Sequence, residues 1–289
     1  MNIQKWLFNN TQSLKGKTVA LSGATGGIGC VLCEYLAQLD ANIICLDRNE
    51  EKSSKLIDGL RLKYTDLNIS HFTLDLADFE CVKKAADKLS GCEIDYLILN
   101  AGAYNVPRYT CTTGFNNVFQ INFISPYYLS YRLGEQIKSR GGRVVAVSSI
   151  AHNYSKINVN DIDFSTYKAS SKVYGNAKRY LTFALYNLFK GSDVLSVTHP
   201  GITLTGITNH FPKLVFALIK HPMKIIFMPP KKAALSILKG LFDNTDDNEW
   251  IGPKWFNIWG YPKKQRINTC SEKESEQIAK IAKDIIDII

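Results

Sequence analysis

Short apolar runs recur along the first two hundred residues: Thr18–Ser22, Asn42–Asp47, Asn68–Thr73, Tyr96–Leu99, Arg143–Val147 and Leu195–Thr198. Each has the length of a buried strand. Between them, apolar residues return at helical spacing. The spacing predicts helices over Cys30–Leu39 and Asn49–Tyr64, from Asp78 as cap through Leu89, over Gly114–Ser139, and from about Tyr174 to Lys190. Strand and helix alternate throughout, which predicts an α/β fold: a doubly wound parallel sheet with helices on both faces. Ligands of such sheets sit beyond the carboxyl ends of the strands. Gly23, Asp47, Asp75, Asn100, Ser149 and Pro200 all fall at those ends. No repeat, low-complexity segment or linker interrupts the pattern, so residues 1–289 read as one domain.

The flanks carry less pattern. Met1–Asn10 reads as a short helix, its Trp6-Leu7-Phe8 cluster too short for a signal-peptide core, within an N-terminal extension of residues 1–13. Pro229-Pro230 starts a helix to Phe242. Ser271-Glu-Lys-Glu274 is a capping box ahead of Ile278, Ile281, Ile285 and Ile289, a terminal amphipathic helix over 271–289 that would pack on the domain or on a partner subunit of a homo-oligomer.

Composition narrows the function. Hydrophobic residues make up 45% of the chain, enough for a sizeable core, and no apolar run approaches the ~20 residues of a membrane span. The net charge of +9 is spread rather than clustered with aromatics, which argues against nucleic acid. One stretch differs: between Gly206 and Lys239 there is no acid, while Lys213, Lys220, Lys224, Lys231, Lys232 and Lys239 are present. Seven scattered cysteines suit a reducing cytoplasm. Cys30 and Cys33 form a Cys-x-x-Cys inside a helix with no second pair, which reads as packing. The histidines lack metal-ligand spacing, so no metal is expected. His152 and His199 read as structural.

The candidate chemistry starts at Gly23-Ala-Thr25-Gly26-Gly27-Ile28-Gly29. A strand that turns on glycines into a helix presents bare N–H groups and the positive end of the helix dipole, a natural seat for a pyrophosphate. Asp47 ends the next strand, about 20 residues on, where a carboxylate can accept from an adenosine ribose and repel a 2′-phosphate. Arg48 beside it can pair with that phosphate instead. Tyr174 and Lys178 are four residues apart, hence on one helix face. An ammonium nearby lowers a phenol's pKa, which makes Tyr174 a candidate proton donor and acceptor. Ser149 ends strand five, where its hydroxyl can hold a substrate oxygen.

Taken in order, the glycine turn, Asn100-Ala101-Gly102, Asn122, Ser149, Tyr174-x-x-x-Lys178 and Pro200-Gly201 resemble the short-chain dehydrogenase/reductase family from about Leu14 to Thr205. Val-Ser-Ser-Ile-Ala-His152 and His-Pro-Gly201 look most like its retinol-dehydrogenase-like branch. Ser22 stands where the family has threonine, and Leu99 where it has a first asparagine. The resemblance implies a Rossmann-type sheet and an NAD(P)-dependent oxidoreductase acting on an alcohol/carbonyl pair. It assigns Gly23, Thr25, Gly26, Gly27 and Ile28 to the cofactor turn, and Asp75 with the Leu76 backbone to the adenine. Ala101 and Gly102 let the cofactor approach, Pro200 and Gly201 line it, and Thr205 reaches the carboxamide. Tyr174 becomes the acid/base, Lys178 the ribose ligand that tunes it, Ser149 the substrate-oxygen ligand, and Asn122 the holder of a relay water. Gly26 sits where NADP-preferring relatives often carry a base, which favours NAD(H) and leaves NADP(H) open. Residues 206–230 correspond to the variable substrate lid. Its apolar clusters between Phe211 and Met228 point to a lipophilic substrate; its lysines read first as the solvated face of a covering segment that Pro222 interrupts, and second as weak contact between 211–228 and a membrane surface. The rival class is a non-catalytic dinucleotide sensor on the same fold. Such proteins typically lack the tyrosine or the lysine, and this chain has both.

Overall fold

The computed structural model describes residues 2–203 and 227–289. The lid segment between these ranges, with Thr205, lies outside the described residues. The elements follow the apolar pattern closely: α1 (Ile3–Asn10), β1 (Thr18–Ser22), α2 (Gly27–Gln38), β2 (Asn42–Asp47), α3 (Glu50–Arg61), β3 (Ile69–Thr73), α4 (Phe79–Ser90) and β4 (Tyr96–Leu99). Next come α5 (Asn117–Phe119), a π turn (Gln120–Ile124), α6 (Ser125–Ser139), β5 (Arg143–Val147), a 3-10 turn (Ile150–Tyr154), α7 (Ser170–Leu188) and β6 (Leu195–Thr198). After the gap follow α8 (Pro230–Lys239), β7 (Glu249–Trp255), β8 (Trp259–Arg266) and α9 (Glu272–Ile288).

The strands form one sheet in the order β3-β2-β1-β4-β5-β6-β7-β8. Pairing is parallel from β3 through β7 and antiparallel only between β7 and β8. The chain leaves β1 toward β2 on one side and returns to β4 on the other, so the cleft between β1 and β4 is the switch point of the sheet. One apolar core lies between the sheet and α4, α6, α7 and α9. The second lies between the sheet and α1, α2, α3 and α8. This is the doubly wound sheet with helices on both faces.

Three local features depart from the sequence pattern. β7 and β8 have no apolar alternation, since Gly252, Pro253, Gly260 and Pro262 interrupt it, and pairing at the sheet edge forms them instead. The helix through Asn122 is broken by the π turn. Helix α7 starts at Ser170, a turn ahead of Tyr174.

Side chains cap most helix starts: Asn2, Asn49, Asp78, Asn116 and Ser271 each accept from first-turn N–H groups. The capping box at Ser271 is only half formed. Ser271 Oγ accepts from Glu274 N at 3.2 Å, but Glu274 turns to Arg179. Its carboxylate takes Nε at 2.8 Å and Nη2 at 2.7 Å from that guanidinium, which is 1% exposed. Arg179 also donates to Thr269 O at 2.6 Å and to His152 O at 3.2 Å. A buried, four-bonded arginine therefore ties α9 to α7 and to the turn that follows β5. With Ile278, Ala282 and Ile285 buried, α9 packs on its own domain.

Removing one partner of such a pair leaves a buried charge uncompensated. Glu274→Ala is expected to lower unfolding stability by roughly 3–5 kcal/mol, read as a fall in denaturant midpoint at unchanged m-value. A shift no larger than that of an exposed control such as Glu276→Ala would show that the pair carries no stability.

Candidate active site

The switch-point cleft is held shut at its base by polar bonds between β1 and β4. The Ser22 hydroxyl accepts from Asn100 N at 3.0 Å and Ala101 N at 3.1 Å, and donates to Ile98 O at 3.3 Å. Asn100 Nδ2 returns the connection, reaching Ser22 O at 3.1 Å and Gly23 O at 3.2 Å. Asn100 thus bonds across the two strand ends, and the serine in place of threonine keeps the bonds a hydroxyl can make.

Above this stitch the glycines are sterically required. Gly23 has φ +69°, and a Cβ there would meet Ala101 Cα at 3.0 Å. A Cβ on Gly29 would lie 2.0 Å from Gly23 O, so α2 packs onto the turn only with glycine at that position. Helix α2 has no side-chain cap at Gly26 and no acid in its first turn, unlike α3 and α4. Its first N–H groups therefore remain available to an anion. The cradle at Gly23, Thr25, Gly26, Gly27 and Ile28 fits a dinucleotide pyrophosphate.

Asp47 is placed at the end of β2, as expected, but its carboxylate is already engaged. Oδ1 accepts from Thr25 N at 3.1 Å and Thr25 Oγ1 at 2.9 Å, and Oδ2 from Ser53 Oγ at 3.1 Å. Asp47 is buried, whereas Arg48 is exposed. Asp47 therefore also shapes the glycine turn through Thr25, a role the spacing does not reveal. Asp75 follows β3, half-buried, with Oδ1 accepting from Ala77 N at 2.9 Å. Leu76 O accepts from Ser125 Oγ at 2.7 Å and Gln120 Nε2 at 3.2 Å, fixing that loop against the π turn.

The remaining candidates converge on Tyr174. Ser149, which follows β5 by two residues, stands close enough to the Tyr174 phenol to pull its pKa down. Lys178 Nζ donates to Val147 O at 2.8 Å and lies 5.8 Å from the Tyr174 ring centroid. That carbonyl takes one of the three donors of the ammonium, and a ribose beside it would suit the others. Gly102 borders the same space: a Cβ there would stand 3.7 Å from Lys178 Nζ and 2.7 Å from Asn122 Oδ1.

Asn122 sits inside the π turn. Its Nδ2 donates to Ala103 O and Val118 O, both at 2.8 Å, and its Oδ1 accepts from Ala103 N at 3.2 Å. The side chain thus clamps the loop after β4 to the helix. The π turn distorts the helix here, and the clamp is its direct agent.

Burial governs the titration of the pair. It pushes Tyr174 up to about 12, against the pull of the Ser149 hydrogen bond. It brings Lys178 down to about 7. The expectation that Lys178 lowers the Tyr174 pKa is not met. Desolvation outweighs an ammonium that burial itself discourages from carrying charge.

Three other tyrosines lie elsewhere. Tyr167 stacks on Phe164 at 4.1 Å near the surface. Tyr180 is enclosed by Phe119 and Phe123, and Tyr186 hydroxyl donates to Glu249 O. Pro200 and Gly201 close the site beyond β6, with Gly201 at φ +83°.

A family model described as short chain dehydrogenase matches residues 17–211. The chain belongs to that family. Among its relatives, an uncharacterised oxidoreductase of Schizosaccharomyces pombe is 29% identical over 82% of this chain and 76% of its own. Human retinol dehydrogenase 13 is 31% identical over 68% of this chain and 62% of its own. Mouse retinol dehydrogenase 12 is 30% identical over 68% and 65%. These relatives bear out the resemblance to the retinol-dehydrogenase-like branch, although the match spans under two thirds of each retinol dehydrogenase. Among solved structures, an uncharacterised protein of Mycobacterium paratuberculosis shares the fold at TM-score 0.70 and 24% identity, covering 97% of this chain and 94% of that one. The Pseudomonas aeruginosa RhlG/NADP complex does so at TM-score 0.59 and 21% identity, over 81% and 91%.

Two features of this short-chain dehydrogenase carry no motif. Tyr104, just past Asn100-Ala-Gly102, stands edge-on to Tyr174 with ring centroids 5.3 Å apart. The catalytic-side turn after Ser149 is held by His152, whose Nδ1–H donates to Ser149 O at 2.7 Å while Nε2 accepts from Thr269 Oγ1 at 2.9 Å. His199 Nε2–H donates to Asn257 O at 3.0 Å. Both histidines are structural, as expected, and burial lowers each to about 4.

An unfolded histidine takes up its proton near pH 6.5, whereas these two resist it until about pH 4. The unfolded state therefore binds more protons in that window, and stability falls as pH drops through it. Each histidine is expected to cost on the order of 3 kcal/mol by pH 4. Thermal melts at stepped pH should show the loss, and His152→Gln should flatten it. An acid slope that His152→Gln leaves intact would assign the loss to other groups.

Proposed function

We propose that this chain is an NAD(P)-dependent oxidoreductase that interconverts an alcohol and its carbonyl, with Tyr174 as the acid/base. The single observation that carries the reading is the convergence of the Ser149 hydroxyl, the Tyr174 phenol and the Lys178 ammonium at the rim of the glycine-lined switch-point cleft. The nicotinamide cofactor, when bound, supplies or accepts the hydride. The chain's own residues do the rest. Ser149 Oγ holds the substrate oxygen beside the phenol. Tyr174 gives its proton to that oxygen in reduction and takes it back in oxidation. Lys178, anchored on Val147 O, holds the ribose and places positive charge near the phenol as it loses its proton. Asn122 keeps Ala103 and Gly102 in register, and its π turn is the place for a relay water. The Tyr104 ring limits access to Tyr174 from one side and offers an apolar wall. A lipophilic alcohol, aldehyde or ketone fits that wall, and the retinol dehydrogenases among the relatives support the same class.

For the cofactor we infer NAD(H). The buried Asp47 carboxylate would oppose a 2′-phosphate, and Gly26 adds no positive charge in the turn. The second reading, NADP(H), rests on the exposed Arg48. Binding titrations separate the two. Asp47→Ala should weaken NADH and improve NADPH relative to it. Tighter NADPH binding by the unaltered chain, lost in Arg48→Ala, would reverse the assignment.

Tyr174→Phe removes the transferable proton and keeps the ring contact with Tyr104. Turnover of a carbonyl test substrate should fall ~10²-fold or more, with cofactor Kd and melting temperature held. Near-normal turnover in that folded variant would remove Tyr174 from the mechanism and leave the dinucleotide-sensor reading standing.

A further inference from the structure

The hairpin of β7 and β8 ends in the turn Trp255-Phe256-Asn257-Ile258. Ile258 N–H donates to Trp255 O at 3.0 Å, and Phe256 and Asn257 have φ +53° and +57°. That is the geometry of a type I′ hairpin turn, where both central residues are left-handed. Asparagine tolerates the position, but for a bulky phenylalanine it is a strained outlier. Packing among the described residues does not offset this strain: Phe256 is 89% exposed and Trp255 beside it 58% exposed. One exposed aromatic needs no explanation. Two adjacent ones, held outward on a strained turn, call for a partner outside the chain.

The surrounding charge points to what that partner is. No Asp or Glu occurs between Glu249 and Glu272, while Lys254, Lys263, Lys264 and Arg266 do. Lys264 faces Glu249 at the far end of the hairpin, at 3.9 Å. The lysines at the tip ride on aromatic rings instead: Lys254 Nζ lies 4.9 Å from the Trp255 centroid, and Lys232 of α8 lies 5.3 Å from Trp259 and 5.0 Å from Tyr261. Indole and phenol rings with lysines around them form the composition that settles at a bilayer's headgroup level, where the rings bury and the ammonium groups meet anionic lipid. A two-residue projection is also far smaller than the ~800 Å² per partner of a stable protein interface.

The tip is placed where docking has a consequence. Asn257 O accepts from His199 at the end of β6, and a Cβ on Gly201 would meet Ile258 O at 2.9 Å. The projection therefore stands at the same carboxyl edge of the sheet as the active site.

We propose that the Trp255-Phe256 tip docks this chain on an anionic lipid surface, with Lys254 and Lys232 facing the headgroups and the strand ends turned toward the bilayer. Docking itself does not depend on the catalytic reading. Its use, delivery of a lipophilic substrate from the lipid to Tyr174, rests on that reading.

The test is co-sedimentation of the full chain with vesicles of phosphatidylcholine alone and of phosphatidylcholine with phosphatidylserine. The unaltered chain should bind the anionic vesicles preferentially. Phe256→Gly is the informative variant, because glycine suits the left-handed turn and should hold or raise the melting temperature. It should weaken binding by about tenfold or more, and Lys254→Glu by about tenfold, while turnover of a water-soluble carbonyl stays unchanged. Absence of binding overturns the proposal. So does equal binding to neutral vesicles, retention of binding in Phe256→Gly, or a concentration-dependent dimer that Phe256→Gly abolishes. A chain that binds vesicles but turns over no carbonyl would sink the catalytic reading and leave the docking surface intact.

Discussion

The structure depends on a few hydrogen bonds at the point where the sheet reverses direction. At the β1–β4 boundary the chain departs to both sides, and no covalent connection links the two strand ends. The Ser22 hydroxyl and the Asn100 amide supply one in polar form, five bonds across one boundary. They also satisfy backbone groups that the diverging loops would otherwise leave bare in a buried place. Everything the site needs is measured from this stitch. The glycine turn lies directly above it, Ala101 and Gly102 continue from it, and Asn122 clamps the next residue of the same loop.

A second scaffold holds the opposite wall. Arg179 follows Lys178 directly and faces the other way, into Glu274, Thr269 and the carbonyl of His152. His152 in turn holds the carbonyl of Ser149. Lys178 and Ser149 are therefore both referenced to one buried guanidinium. Position along α7 is fixed on one face by Val147 O and on the adjoining face by the terminal helix, so the geometry around Tyr174 is set from two sides.

Much of this was legible in the sequence, for physical reasons that vary by element. The parallel strands β1 to β6 are buried on both faces and leave plain apolar runs. The glycine turn and the Tyr174–Lys178 pair survive as motifs because steric and chemical demands allow few substitutes. β7 and β8 were illegible, since both carry proline, glycine and lysine and β8, at the edge, needs no apolar pattern. The engagement of Asp47 by Thr25 and Ser53 was hidden because spacing locates a carboxylate without saying what it already holds. The Tyr174 expectation had the wrong sign for the same kind of reason: a four-residue spacing shows that an ammonium is near, but not that both groups are desolvated. Glu274 was read as half of a local cap and serves a partner 95 residues away, a choice only tertiary packing can make.

The one antiparallel strand has a consequence for how copies of this chain meet. A row of parallel strands ending at β7 would leave an open ladder of N–H and C=O groups, ready to recruit another strand. β8 covers that ladder and is itself a poor template, with Gly260, Pro262 and consecutive lysines along it. That border of the sheet is thus blunted against growth. Stacking of copies through that edge of the sheet is therefore disfavoured.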